Sequence, residues 1–85
     1  MQKAWHERAW EEYLFWQEHD KRIVKRINLL LKDIERQPFE GIGKPEPLKH
    51  GLSGLWSRRI DEANRLVYEV FEGRIEILRC WGHYE

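Results

Sequence analysis

The chain has 85 residues, with 15 Lys and Arg balanced by 15 Asp and Glu, and with five Trp, three Tyr and three Phe supplying much of its apolar area. That length makes one domain, residues 1–85, whose core is so small that each buried aromatic counts. A single cysteine excludes an internal disulfide, and with neither a charged-then-apolar leader nor a long apolar run the expected setting is the cytoplasm, away from any membrane.

Zero net charge conceals a segregation. Residues 1–20 carry two cations against five carboxylates, residues 21–37 carry six against two, and residues 44–65 carry five against three. Phosphate recognition needs a local positive field, so a neutral total does not exclude an RNA partner.

In chain order, residues 2–5 read as a short strand. From His6 to His19, Ala9, Trp10, Tyr13, Leu14 and Trp16 fall on one stripe while Glu7, Glu11 and Glu18 gather opposite, the pattern of an amphipathic helix. Asp20 predicts the N-cap of a second helix ending before Pro38, with Ile23, Val24, Ile27, Leu30, Leu31 and Ile34 as its buried stripe. Lys21, Lys25, Lys32 and Arg36 align along another face with Arg22 and Arg26 beside them, which suits either an ordinary solvated surface or a contact to RNA. Phe15 and Leu29 fall outside both stripes and are expected to be exposed.

The stretch from Pro38 to Gly54 reads as a loop. Between Phe39 and Ile60 lie four of the six glycines and two of the three prolines. Glu46 stands between Pro45 and Pro47, which leaves it few backbone options and bars it from a helix interior. Lys44, Lys49, His50, Arg58, Arg59 and, further on, Arg65 surround it in sequence. A lone carboxylate among cations fits chemistry on an anion, with the glutamate as base and the cations as clamps. It also fits a surface loop in which Glu46 pairs with Lys44 or Lys49. Arg58 alternates away from Arg59 and reads as a surface or structural residue.

Past Gly54 the period becomes alternating. Leu55–Ile60, Arg65–Phe71 and Arg74–Trp81 read as strands, joined through Asp61–Asn64 and a tight Glu72-Gly73 turn into an antiparallel meander. Leu66, Tyr68 and Val70, with Ile75 and Ile77 as partners, form the face that the helices cover, leaving Arg65 on the other face, where a site should lie. A strict two-residue turn would place His83 on the wrong face, so a bulge, a register shift or a break at Gly82 is expected. The fold class is α+β: two N-terminal amphipathic helices on one face of a small, mainly antiparallel twisted sheet. Cys80 reads as a buried strand residue, and His6, His19 and His50 share no ligand spacing with it, so neither a metal site nor a cofactor is expected. The Gly82–Glu85 segment has few apolar anchors and is predicted to be mobile.

Three stretches together carry a resemblance: FEGxGKPEPLKxxLxGxWSRRI, then NRLVYEV and His83-Tyr84, with YLFWQEHDKRIVKRIN near the start. Along nearly its whole length the chain resembles the YoeB toxins of the RelE/ParE superfamily, bacterial ribosome-dependent mRNA endonucleases. The resemblance implies the RelE-like microbial RNase fold and a toxin of a toxin–antitoxin pair that cuts mRNA in the ribosomal A site and so blocks translation. It implies products with 2',3'-cyclic phosphate and 5'-hydroxyl ends. It places Glu46, Arg65, His83 and Tyr84 at catalytic positions, and Lys49 and Arg59 at positions that bind and neutralise the phosphate. By residue type, Glu46 suits the base, Arg65 the charge clamp and His83 the acid. Lys21, Arg22, Lys25, Arg26, Lys32 and Arg36 become candidate ribosome contacts. The implied partners are a YefM-like antitoxin with a flexible tail and the ribosome carrying A-site mRNA, and a toxin homodimer is compatible with the resemblance. Trp81 stands where the family often has a basic residue. The competing class is a non-catalytic, ParE-like interaction toxin; a plain RNA-binding domain would need a stacking signature that is missing here.

Overall fold

Asp20 sets the geometry of the amino-terminal half. In the computed structural model, which describes residues 1–49 and 54–83, strand β1 (Gln2–Trp5) leads into helices α1 (Glu7–His19) and α2 (Lys21–Arg36). Asp20 alone separates the helices. Its backbone N–H donates to the Trp16 carbonyl at 2.8 Å to close α1, and its carboxylate accepts from the Arg22 N–H at 3.0 Å to open α2. One residue thereby satisfies orphan groups of two helix ends, and the N-cap alone contributes about 1 kcal/mol. Among the described residues no helix is long and apolar enough to cross a membrane.

Strands β2 (Glu46–Pro47), β3 (Leu55–Arg59), β4 (Arg65–Phe71) and β5 (Arg74–Arg79) join β1 in a five-stranded sheet ordered β1-β5-β4-β3-β2. The meander is antiparallel as expected, whereas β1 runs parallel to β5, from Gln2 opposite Arg74 to Trp5 opposite Ile77. Strand β2 corrects the reading of residues 38–54 as uninterrupted loop. Glu46 pairs with Ser57 and Pro47 with Trp56, at an edge where a proline's missing N–H is tolerated.

The α2 stripe packs as its period predicts. Ile23, Ile27, Leu30, Leu31 and Ile34 are buried against Leu66, Tyr68, Ile75 and Ile77 of the sheet, each burial removing an apolar side chain from water at a gain of about 1.5–3 kcal/mol. Helix α1 departs from its predicted stripe. Ala9 and Trp16 are buried, but Trp10 is 43% and Leu14 41% exposed. The inward line runs Ala9, Glu12, Trp16. Glu12 tolerates that place because its carboxylate accepts from Arg79 Nε at 2.9 Å and from the Cys80 N–H at 2.8 Å, so a polar group is buried with partners. Trp10 rests instead against the Trp5 and Tyr13 rings, at centroid distances of 5.6 and 5.8 Å. Phe15 and Leu29 are exposed, as expected.

The parity problem is solved by a bulge. Tyr68 pairs with Ile77, but the next pair is Val67 with Arg79, so Leu78 is an extra residue on β5. Every later residue changes face. Cys80 therefore joins Ile75 and Ile77 in the core, fully buried, and the chain beyond it arrives beside the start of β4.

Candidate active site

Pairing register decides which side chains share the face away from the helices. Directly opposed residues of an antiparallel pair point the same way, so the rows Glu46–Ser57–Val67 and Arg59–Arg65 lie together on that face. Arg65 is 9% exposed, and its Nη1 donates to Glu46 Oε1 at 3.1 Å. The carboxylate end of this ion pair is wet, with 60% of the Glu46 side chain exposed, while the guanidinium end is sheathed. Arg59 is exposed directly across from Arg65. Two like charges in one cross-strand pair destabilise a sheet, and one carboxylate neutralises only half of them. The face therefore has an unmet demand for an anion, and two guanidiniums offer the planar fork that suits phosphate. Arg65 Nε and Ser57 Oγ are both buried without a partner among the described residues, which leaves polar capacity at the centre of the face.

Glu46 is held there by its neighbours in the preceding loop. Arg58 alternates to the core side of β3, where it is completely buried, so it is structural and not a surface residue. Its guanidinium donates from Nε to Tyr68 Oη at 3.2 Å, from Nη1 to Asp33 Oδ2 at 2.6 Å and to the Ile42 carbonyl at 3.1 Å, and from Nη2 to the Gln37 and Glu40 carbonyls, the latter at 2.9 Å. Tyr68 Oη in turn donates to the Pro38 carbonyl at 2.8 Å. One side chain thus gathers the whole turn from Gln37 to Ile42. Hydrogen bonding from Arg58, and then from the Ile42 N–H, holds the Asp33 carboxyl below the usual carboxylate range. Burial pushes the Tyr68 phenol up despite the nearby guanidinium. Gly41, at φ 122°, fits against the Asp33 carboxylate where any Cβ would collide with it. Beyond this knot, Arg59 N–H donates to the Gly43 carbonyl at 2.6 Å and Leu48 N–H to the Leu55 carbonyl at 2.9 Å, lacing the Glu46 segment to β3.

The carboxy-terminal approach is pinned as well. Trp16 Nε1 donates to the Cys80 carbonyl at 2.9 Å, Cys80 Sγ to the Ala9 carbonyl at 3.5 Å, and the Trp81 ring stacks on Trp16 at 4.7 Å. Burial, with the Glu12 charge adding to it, pushes the Cys80 thiol up to about 12. At Gly82 both backbone groups are held: its N–H donates to Asn64 Oδ1 at 2.8 Å and its carbonyl accepts from the Arg65 N–H at 2.9 Å. The expected mobility therefore does not begin at Gly82. His83 follows at once and is exposed, while Tyr84 and Glu85, like His50, lie outside the described residues. Lys49 is exposed just beyond β2. The fold thus brings Glu46, Arg59 and Arg65 onto one face and fixes the residue before His83 to the backbone of Arg65.

A family model of YoeB-like toxins of bacterial type II toxin–antitoxin systems matches residues 5–84. The chain belongs to that family. Toxin YoeB of Escherichia coli (strain K12) is 61% identical over 84 residues, which cover 99% of this chain and 100% of that one. A YoeB dimer from Staphylococcus aureus superposes with a TM-score of 0.95 at 47% identity, covering 99% of this chain and 98% of that one. The toxin chain of a heterotetrameric YoeB–YefM toxin–antitoxin complex from the same organism superposes with a TM-score of 0.92, again at 47% identity and covering 99% of this chain and 98% of that one.

In this YoeB-like toxin the cationic residues of α2 divide into two groups. Lys21, Lys25, Lys32 and Arg36 are exposed along the outer face, and Arg22 is exposed but lies 3.9 Å from Asp20. Arg26 turns inward, its Nη2 reaching the Arg59 carbonyl at 3.5 Å, so it belongs to the support of β3 more than to the outer stripe. Among the described residues no three His, Cys, Asp or Glu side chains come together as a metal-ligand set. Three residues that shape the site carried no signal read from the sequence. Ser57 could have been found by strand parity with Arg59, and Asn64 as the polar residue heading β4. Glu12 could not, because a charged residue on an apolar line looks like noise until its partners are known.

Proposed function

We propose that this YoeB-like toxin is a ribosome-dependent endoribonuclease that cuts mRNA in the A site by metal-independent acid–base chemistry. The observation that carries the reading is the ion pair between Glu46 and Arg65 at 3.1 Å, on the same face as Arg59, with the residue before His83 tied to the Arg65 N–H. In this mechanism the exposed Glu46 carboxylate takes the proton of the 2'-hydroxyl. The freed oxygen attacks the adjacent phosphorus, the bond from phosphorus to the 5'-oxygen breaks, and His83 delivers a proton to that leaving oxygen. The products are a 2',3'-cyclic phosphate and a 5'-hydroxyl. Arg65 shifts from Glu46 toward the phosphate as charge grows on it, with Arg59 and Lys49 completing the clamp and Tyr84 beside His83 completing the set.

The outer stripe of Lys21, Lys25, Lys32 and Arg36 supports docking on ribosomal RNA, since phosphate contacts of this kind position a protein without reading sequence. The Staphylococcus aureus complex supports a YefM-like antitoxin as the regulatory partner, and the dimer from the same organism supports self-association. Single-turnover cleavage of A-site mRNA tests the reading. Glu46→Ala, Arg65→Ala and His83→Gln should each slow it by at least about a hundredfold, and naked mRNA should be cut far more slowly than ribosome-bound mRNA. Wild-type rates in all three variants would remove these residues from the chemistry, whereas no ribosome-dependent cleavage by the parent chain would leave a non-catalytic, interaction-based toxin.

A further inference from the structure

Gly82, the residue before the proposed acid His83, is gripped at both of its backbone groups by consecutive residues, Asn64 at the end of the β3–β4 connection and Arg65 at the start of β4. Asn64 is 9% exposed and uses its whole amide: Nδ2 donates to Asp61 Oδ1 at 3.1 Å, and Oδ1 accepts from the Gly82 N–H at 2.8 Å. The orientation of the amide follows from its partners, because a flip would aim the NH₂ group at an N–H and the oxygen at a carboxylate. Asp61 Oδ1 also accepts from the backbone N–H of Ala63 and Asn64, at 2.9 and 2.7 Å, so the group that orients Asn64 is itself locked by the turn. The Asn64 carbonyl accepts from Ile60 N–H at 2.9 Å and from Asp61 N–H at 3.2 Å. Arg65 N–H takes the Gly82 carbonyl. Gly82 adopts φ 81° with open space where a Cβ would lie, so it is the turn of the chain, and not crowding, that requires glycine there.

We infer that Asn64 is a positioning residue for the departure step: through the Gly82 peptide it sets where His83 stands relative to Arg65. The inference rests on the reading of His83 as the acid. Neither Asn64 nor Asp61 nor Gly82 bonds to Glu46, and Arg65 reaches Glu46 through its guanidinium while holding Gly82 through its backbone N–H, so the base and the attack on phosphorus should not depend on Asn64. Loss of the latch should therefore cost rate only when the leaving oxygen needs a proton.

The test is single-turnover cleavage on ribosomes with two A-site mRNAs, one natural and one with sulfur in place of the bridging 5'-oxygen of the scissile phosphate. A thiolate leaves without protonation. Asn64→Ala should slow the natural substrate by about tenfold to a hundredfold and the sulfur substrate by less than about threefold, as expected for a misplaced proton donor. His83→Gln is the control and should show the same selectivity. Exchanging the pair, Asp61→Asn with Asn64→Asp, preserves an oxygen for Gly82 and one donor–acceptor link between the two side chains, and should restore most of the natural rate. Should Asn64→Ala fail to fold, the same question can be put to a chain ligated at Cys80 that carries glycolic acid in place of Gly82. That ester lacks only the N–H that Asn64 accepts, and it should show the same selective loss. Equal slowing of both substrates by Asn64→Ala or by the ester, with His83→Gln still selective, would overturn the latch and leave the acid assignment standing. Failure of His83→Gln itself to be rescued by sulfur would remove the acid assignment and the latch with it.

Discussion

Arg65, the proposed charge clamp, is a charged residue placed where its burial is a cost. Its guanidinium is nine-tenths buried, faces Arg59 across the sheet, leaves Nε without a partner among the described residues and pairs with a carboxylate that is mostly in water. A buried charge held this loosely adds little to folding, and replacing such a group by an apolar side chain of similar length is often neutral or stabilising by about 1–4 kcal/mol. Removing it would strand no buried charge, because Glu46 is already solvated. Arg65→Met is therefore expected to unfold at the same or a higher temperature than the parent while losing cleavage by at least about a hundredfold. Thermal melts alongside single-turnover assays check this. A loss of more than about 1 kcal/mol would make Arg65 part of the scaffold instead.

At the scale of elements, the loop between α2 and β2 owes its shape to one buried ion pair. Asp33 and Arg58 are joined at 2.6 Å, and Arg58 holds the carbonyls of residues 37, 40 and 42 around them. Because the folded Asp33 carboxyl lies below its ordinary value, the pair stabilises the protein above that ordinary value, near pH 4, and the contribution is lost as pH falls through the lower folded value. Asp33→Asn should cost about 3 kcal/mol at pH 7, since it strands the buried guanidinium charge. Urea titrations should show that cost shrinking progressively as pH falls from about 4 toward the lower folded value, where the folded parent is protonated too; a cost independent of pH would mean that the charge is not what holds the loop.

This element also shows where sequence reasoning reached its limit. The α2 stripe, the three meander strands and the need for a bulge before His83 follow from local period and parity. The parallel β1–β5 pair, the inward turn of Glu12 and the capture of three carbonyls by Arg58 depend on partners 16 to 72 residues away, which periodicity does not register. The same holds for the site. Residue types and family pattern single out Glu46, Arg59, Arg65 and His83, whereas Ser57 and Asn64 matter only once the strands are in register.

For the molecule as a whole, one edge of the sheet is made by its most distant parts. β1 and β5 pair through Lys3 with Ile75 and Trp5 with Ile77, and His6 N–H continues the ladder to the Ile77 carbonyl at 2.9 Å. β5 also carries the bulge and the contacts to Glu12 and Trp16 that lead the chain to Gly82. Contacts this far apart in sequence must await loop closure, so they form late. Truncations ending before Arg74 should show no cooperative thermal transition, whereas a truncation after Gly82 should retain one; a cooperative melt in the shorter chain would mean that the helices and β3–β4 form a core of their own. The arrangement bears on how the chain is born. A nascent polypeptide emerging from a ribosome can wind its helices early, but β1 has no neighbour to run beside until β5 is out of the exit tunnel. On the proposed function, a chain that acts on translating ribosomes has no assembled sheet to act with until β5 has emerged to run beside β1 and β4.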